Sequence, residues 1–265
     1  MAFSLAGKWV LITGASSGFG AASALAFAAQ GCNLLLGARR VDRLEACAAE
    51  ARKAGAPEAH FHSMDVTKTP NVEEFVKWAR TKASAVHVLV NNAGGAHGLQ
   101  SVANGRDEDW EATLQTNVLG VLRVTRAVLP LMPKDAGSSI LNIGSVAGRY
   151  AYEGGADYCA AKAGELKITQ VLRLELNGTG IRISSIDPGM AWTEFSAVRF
   201  KGDTTRADRV YEGVNPLVAE DVAETLVWVA SRPEHVNIDE LVIKCVDQAA
   251  IHKVFRRTKD SKQGA

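Results

Sequence analysis

The sequence predicts an α/β chain, a largely parallel sheet buried between layers of helix, and three observations predict it. Short apolar runs recur with helical segments between them, the alternation that parallel strands joined by crossover helices require. The first of these runs leads straight into a glycine-rich turn and an alanine-rich helix. The 265 residues, 47% hydrophobic and 22% charged, suffice for one sizeable core and are too apolar for a disordered chain. One domain spanning 1–265 is the expectation.

Residues 8–13, Lys-Trp-Val-Leu-Ile-Thr, run apolar without alternation, as a strand covered on both faces does, so this strand is central. Gly14-Ala15-Ser16-Ser17-Gly18-Phe19-Gly20 follows, then a helix over 21–30. Glycines there let backbone amides approach a diphosphate, and the helix N-terminus behind them adds unpaired N–H groups and partial positive charge. The spacing Gly-x-x-x-Gly-x-Gly departs from the Gly-x-Gly-x-x-Gly dinucleotide fingerprint, although the strand, turn and helix around it are the same. The alternative is a glycine-rich turn that binds nothing.

A second buried strand, 33–37, ends at Ala38-Arg39-Arg40. A cofactor lacking a 2′-phosphate meets Asp or Glu at this place, whereas arginine accommodates the phosphate. Alanine at 38 and two arginines after it favour NADP over NAD, with Arg39 as the phosphate clamp and Arg40 in support, since guanidinium pairs bidentately with phosphate. The competing reading is a solvated pair opening a helix over 41–54, one of them neutralised by Asp42.

A third strand, 59–64, ends at Asp65-Val66; Asp65 either accepts from an adenine amino group or caps the turn before a helix over 72–83. His60 and His62 alternate on this strand without a third ligand nearby and read as ordinary polar groups. A fourth strand, 86–90, delivers Asn91-Asn92-Ala93-Gly94-Gly95, where small residues permit close packing against a ribose and Asn92 can lock the loop through its backbone. A long helix over 107–131 carries Asn117 in its middle. Asparagine forms helix poorly and must find partners when buried, so it either ties the helix to the sheet or shapes it around a bound water.

The apolar run 139–144 places Ser145 at the C-terminal end of a strand. Tyr158 and Lys162, four apart on the next helix, project from one face. An ammonium beside a phenol favours the phenolate; a pair ~4 Å apart at an effective dielectric of about 20 gains ~4 kcal/mol, capping the shift at roughly three pKa units. A tyrosine so tuned exchanges protons with an alcohol or ketone oxygen, and the Ser145 hydroxyl would hold that oxygen. Taken singly, the pair is a common spacing and Ser145 a strand-end cap.

A strand over 181–186, a helix over 219–231 and a strand over 241–244 complete the pattern. Residues 190–216 form a connection with no strong period, the kind that serves as a lid over substrate. Its cations Arg199, Lys201, Arg206 and Arg209 are candidates to grip a carboxylate, and Arg149, four residues after Ser145, is another; Arg199 and Arg149 are the two assigned to substrate. Each also reads as a charge facing water.

Net charge +1 implies no nucleic-acid or anionic-membrane surface. Cys32, Cys47, Cys159 and Cys245 share no disulfide-framework or zinc spacing, so no metal is expected and the thiols read as free in a reducing compartment. No apolar run approaches ~18 residues, and the first strand begins within about eight, so a cytoplasmic, soluble protein is expected. The charged tail, 256–265, is expected to be loosely ordered.

Thr13 to Gly20, Asn91-Asn92-Ala93-Gly94, Asn117, Ser145, Tyr158 with Lys162, and Pro188-Gly189 followed by Thr193 resemble, in this order and spacing, the short-chain dehydrogenase/reductase family. The resemblance covers essentially the whole chain. It implies a single Rossmann-type domain with a doubly wound seven-stranded parallel sheet flanked by helices, a homotetramer and a nicotinamide cofactor. Tyr158 would be the acid/base, Lys162 would lower its pKa and bind the nicotinamide ribose, Ser145 would orient the substrate oxygen, and Asn117 would hold a proton-relay water. Pro188, Gly189 and Thr193 would line the nicotinamide side. Phe19 stands where the family usually has Ile or Leu, a matter of packing. The stretches 193–203 and 236–243 are similar to the NADP-dependent 3-hydroxy acid and serine dehydrogenase branch, which implies small 3-hydroxy acids and their semialdehydes as substrates. Two further readings stay open: a carbonyl reductase for an apolar ketone or secondary alcohol, and an NADP(H)-binding sensor without turnover. By the same resemblance, the 219–231 helix and the 241–244 strand are assembly surfaces.

Overall fold

Strand β1 (Trp9–Thr13) sends Val10 and Ile12 into one apolar layer and Leu11 into the other, which is why its sequence shows no alternation. The same division recurs in β2 (Asn33–Ala38), where Leu34 and Leu36 oppose Leu35, and in β4 (Val88–Asn91), where Val88 and Val90 oppose Leu89. The protein, seen here as a computed structural model, is described over residues 3–134 and 137–258.

Between those strands run α1 (Gly18–Ala29), α2 (Val41–Lys53), β3 (Ala59–Ser63) and α3 (Thr69–Arg80). Beyond β4 come α4 (Asp107–Leu114), a π-helical turn (Gln115–Leu119), α5 (Gly120–Val128), β5 (Ser139–Ile143), α6 (Ala156–Glu175) and β6 (Arg182–Pro188). Helices α7 (Phe195–Arg199), α8 (Thr204–Arg209) and α9 (Ala219–Ala230) lead to β7 (Glu240–Ile243) and a hairpin, β8 (Gln248–Ala250) and β9 (Lys253–Val254).

The seven strands lie in the order β3-β2-β1-β4-β5-β6-β7, and every pairing is parallel. The chain starts in the middle, winds outward through β3, then crosses back to wind the other way from β4. Helices α1, α2 and α9 cover one face and α3, α5 and α6 the other. This is the doubly wound Rossmann-type domain that the family resemblance implied, and the reversal between β1 and β4 opens a crevice at the strands' C-terminal ends.

Polar residues cross the core beside that crevice. Asn91 Nδ2 donates to Asn142 Oδ1 at 2.8 Å and to Thr125 Oγ1 at 3.0 Å, and Asn142 Nδ2 donates to Thr169 Oγ1 at 2.8 Å. Together they fix β4, β5, α5 and α6 to one another directly beneath the site.

Two sequence expectations need correction, those for the 107–131 helix and for the tail. The helix expected over 107–131 is interrupted by the π turn at Asn117, because that side chain donates to the Thr113 carbonyl at 2.7 Å, where a regular helix uses backbone N–H. The 190–216 connection carries α7 and α8, five and six residues long and too short to leave a readable period. The tail does not come loose at 256. Arg256 donates to the carbonyls of Glu212 at 2.6 Å and Val210 at 3.1 Å, and Arg257 pairs with Asp247; 259–265 lie outside the described residues. All four cysteines are free thiols.

Candidate active site in the crevice

The turn after β1 has a path open only to glycine. Gly14 has φ +66°, and a Cβ there would lie 2.9 Å from Ala93 Cα; a Cβ on Gly20 would lie 2.4 Å from the Gly14 carbonyl oxygen. Asn92 closes this contact from the other side of the crevice, donating from Nδ2 to Thr13 O at 2.9 Å and Gly14 O at 3.2 Å. Thr13 Oγ1 in turn accepts from the N–H groups of Asn92 and Ala93, both at 2.9 Å. The loops after β1 and β4 are thereby one rigid unit, with the first-turn amides of α1 facing a cleft of about 710 Å³.

At one end of that cleft stand Arg39, Arg40, Asp65 and Val66. Arg40, expected only in support, is the arginine that reaches the glycine-rich turn: Nη2 donates to Ser17 Oγ at 2.6 Å and Ser16 Oγ at 3.2 Å, while Nη1 pairs with Glu194 at 3.0 Å. Asp42 has no part in this; Glu194, shared with Arg43 at 2.5 Å, supplies the counter-charge from 154 residues away. Of the two roles open to Asp65, the cap is visible: Oδ1 accepts from the Thr67 N–H at 3.0 Å and its hydroxyl at 2.7 Å. Burial pushes this carboxyl up, but the Thr67 bonds and the charges of Arg39 and Lys68 outweigh it and hold it below the usual carboxylate range. Phe19, Ala93, Gly94, Pro188, Gly189 and Thr193 also line the cleft, whereas Gly20 lies behind the turn as a packing residue.

At the other end stand Ser145, Tyr158 and Lys162. Ser145 follows β5, and its Oγ accepts from the Ala147 N–H at 3.1 Å, capping a short 3-10 turn while its own O–H points to no protein acceptor among the described bonds. Tyr158 packs on Phe195 with ring centres 5.4 Å apart, and the Lys162 Nζ lies 5.9 Å from its ring centre. Lys162 is buried, donating to the Ile143 carbonyl at 2.6 Å and to Glu165 at 2.7 Å. Burial pulls its ammonium down, but Glu165, Tyr158 and Asp187 more than reverse this and raise it above an ordinary lysine.

Asn117 is completely buried and stays behind the cleft wall. Its Oδ1 accepts from the Gly95 N–H at 3.2 Å and its Nδ2 donates to the Gly95 carbonyl at 2.8 Å, so the side chain pins the Gly94–Gly95 segment. Both amide protons are used by Gly95 and Thr113, so a water would find only the remaining lone pair of Oδ1.

The substrate-side cations divide. Arg199 Nε donates to Gly98 O at 2.9 Å and Nη2 to the Tyr152 hydroxyl at 2.7 Å, and its guanidinium lies 5.7 Å from the Tyr158 ring centre. Arg149 is a correction: it is absent from the cleft and is held by Asp187 at 2.5 Å and Glu240 at 2.6 Å, bracing the ends of β6 and β7 under Ser145. Lys201 is likewise paired, with Asp109 at 2.8 Å.

A family model described as short chain dehydrogenase matches residues 8–203. The chain belongs to the short-chain dehydrogenase family. Its relatives include serine 3-dehydrogenase of Agrobacterium fabrum, 39% identical over 250 residues that cover 94% of this chain and 98% of the relative. Sulfoacetaldehyde reductase of Chromohalobacter salexigens is 41% identical over 241 residues, 91% of this chain and 94% of that one. Among solved structures, the closed form of a serine dehydrogenase complexed with NADP+ superposes with a TM-score of 0.87 at 37% identity, covering 95% of this chain and all of that one.

Within this short-chain dehydrogenase, sequence reasoning missed Tyr152, Phe195 and Glu165. Tyr152 and Phe195 had no sequence signal, because a tyrosine in a loop and a phenylalanine on a five-residue helix look like any others. Burial pushes the Tyr152 phenol up to about 12, despite the pull of Arg199, so it stays protonated while its oxygen accepts from the guanidinium. Glu165 did have a signal, a carboxylate three residues after Lys162 on the inward stripe of α6.

Proposed function

We propose that this dehydrogenase uses NADP(H) to interconvert a small 3-hydroxy acid and its semialdehyde or ketone. The observation that carries the substrate class is Arg199, a guanidinium above the Tyr158 ring that is tied at Nε and Nη2 and keeps Nη1 for an anion. Serine and sulfoacetaldehyde, named in two relatives, both carry an anionic group close to the reacting carbon.

The residues present fit a nicotinamide dinucleotide, a reading supported by the glycine cradle and by the arginine pair at one end of the cleft. Gly14, Ser16, Ser17, Gly18 and Phe19 form the diphosphate turn with Gly20 packed behind it, Arg39 and Arg40 take the 2′-phosphate, and Asp65 and Val66 flank the adenine. Asn92, Ala93 and Gly94 shape the ribose wall; Pro188, Gly189 and Thr193, with Tyr158 and Lys162, hold the nicotinamide end. The coenzyme when bound supplies or accepts the hydride. Ser145 donates to the substrate oxygen, Tyr158 takes the hydroxyl proton in oxidation and returns it in reduction, and the Lys162 charge stabilises the phenolate form. Asn117 keeps the Gly94–Gly95 wall in register. The 190–216 segment serves as the substrate lid.

Two measurements test this. Steady-state oxidation of L-serine and 3-hydroxybutyrate, set beside reduction of a cyclic ketone, should favour the acids; a cyclic ketone as the best substrate would instead support the apolar reading, to which Leu99, Met190 and Val198 in the cleft lend weight. Binding of NADPH with no turnover across the panel would point to a sensor. Arg39→Ala and Arg40→Ala should each weaken NADP about tenfold while leaving NAD within about threefold, the low end for a charge-assisted phosphate bond because these arginines are partly solvated. Equal losses for both coenzymes would refute a phosphate role.

The proposal extends to a cytoplasmic homotetramer with a small-molecule substrate and neither nucleic-acid nor membrane partner. Exposed Val218, Trp228 and Val242 beside and on α9 and β7 give a second copy an apolar face to cover. Among the described residues no helix is long and apolar enough to cross a membrane.

A further inference from the structure

The inward stripe of α6 contains Ala161, Lys162, Glu165, Thr169 and Leu172, and a carboxylate at its centre is an expensive choice. Glu165 is 1% exposed. The only hydrogen-bonded partner of its carboxylate among the described residues is Lys162, at 2.7 Å. The Lys162 Nζ is in turn fixed by Ile143 O at 2.6 Å, so two of its three N–H bonds are committed to a fixed direction and one remains for the cleft. With the Nζ 5.9 Å from the Tyr158 ring centre, the Glu165 carboxylate lies within about 9 Å of that ring, near enough for a unit charge to matter.

We propose that Glu165 is a positioning residue: it anchors the Lys162 ammonium and, through its own charge, sets how much of the lysine's field reaches the Tyr158 hydroxyl. Ionised, it makes the pair neutral and leaves the phenol facing a dipole. Protonated, it leaves the ammonium unopposed. Burial pushes the Glu165 carboxyl up to about 7 against the pull of Lys162, and Asp187 on β6 adds repulsion, so both forms exist near neutrality. The charged groups facing it are therefore Lys162 on its own helix and Asp187 from the sheet, the latter answered by Arg149. The inference rests on the acid/base reading of Tyr158.

Glu165→Gln keeps the shape and an oxygen for Lys162 while removing the charge. Removing a negative charge beside the ammonium makes the phenolate cheaper, so the rising limb of kcat against pH in the oxidation direction should move to lower pH by roughly one unit. Glu165→Asp, which keeps the charge, should leave the limb in place, and the coenzyme KM of the Gln variant should change less than about twofold. A Gln limb superimposed on the wild-type one would overturn the proposal, whatever happens to the rate. A second readout needs no turnover and no variant: infrared difference spectra of the glutamate-labelled wild-type protein should show a protonated carboxyl band disappearing as pH rises through about 7. If no such band titrates between about pH 5 and 8, Glu165 is not the titrating partner of Lys162, even where the dehydrogenase reading stands.

Discussion

Tyr158→Phe is expected to lower kcat about a thousandfold in both directions while the protein still folds and still binds coenzyme. The ring contributes packing that phenylalanine keeps: its contact with Phe195 at 5.4 Å and its place under Arg199 at 5.7 Å need no hydroxyl. The thermal midpoint should therefore stay near that of the wild type, and NADPH affinity, followed by coenzyme fluorescence, should change by no more than about threefold. In the proposed acid/base role, what is lost is the group that gives and takes the proton, an effect of about 4 kcal/mol at the top of the barrier. Retention of more than a few per cent of turnover would remove Tyr158 from the acid/base role. Lys162 offers no equally clean experiment. Removing it strands Glu165 as an uncompensated buried carboxylate, so stability and chemistry would fall together.

The fold and the pairing of Tyr158 with Lys162 in the cleft are legible in sequence because both are written locally. Apolar runs such as Val10-Leu11-Ile12 announce strands with two covered faces, and Tyr158 with Lys162 needs only the pitch of one helix to be brought together. The errors lie where a side chain's partner is distant. Arg149 looks available in the sequence because Asp187 and Glu240, 38 and 91 residues further on, are not recognisable as its partners until β6 and β7 are laid side by side. The contacts of Arg40 are hidden for the same reason: the hydroxyls of Ser16 and Ser17 and the carboxylate of Glu194 meet it only in the fold. Asn117 is recognisable as a buried amide in a helix, but its partner Gly95, which approaches from the β4 loop, is not recognisable until the fold brings the two together. Where charge and backbone geometry are settled by contact between remote segments, periodicity and composition carry no signal.

Arg199→Met should divide substrates by charge. The long apolar side chain retains the volume above Tyr158 but loses the fork, so kcat/KM for an anionic 3-hydroxy acid should fall about a hundredfold, the size of a charge-assisted hydrogen bond withdrawn from a carboxylate. A neutral alcohol or ketone of similar size never used the charge, and its kcat/KM should change by no more than about threefold. Arg199 also braces the 190–216 segment, joining it to the β4 loop through Gly98 and to the segment between β5 and α6 through the Tyr152 hydroxyl. If that bracing were its whole role, closure would suffer for every substrate and the two losses would be equal. Arg199→Lys separates the roles further. It restores a positive charge without the planar fork, so it should recover part of the anionic activity while leaving the Gly98 and Tyr152 bonds incompletely replaced. Equal losses for charged and neutral substrates in the Met variant, or no recovery with Lys, would assign Arg199 to the lid alone and return the substrate class to the apolar walls of the cleft.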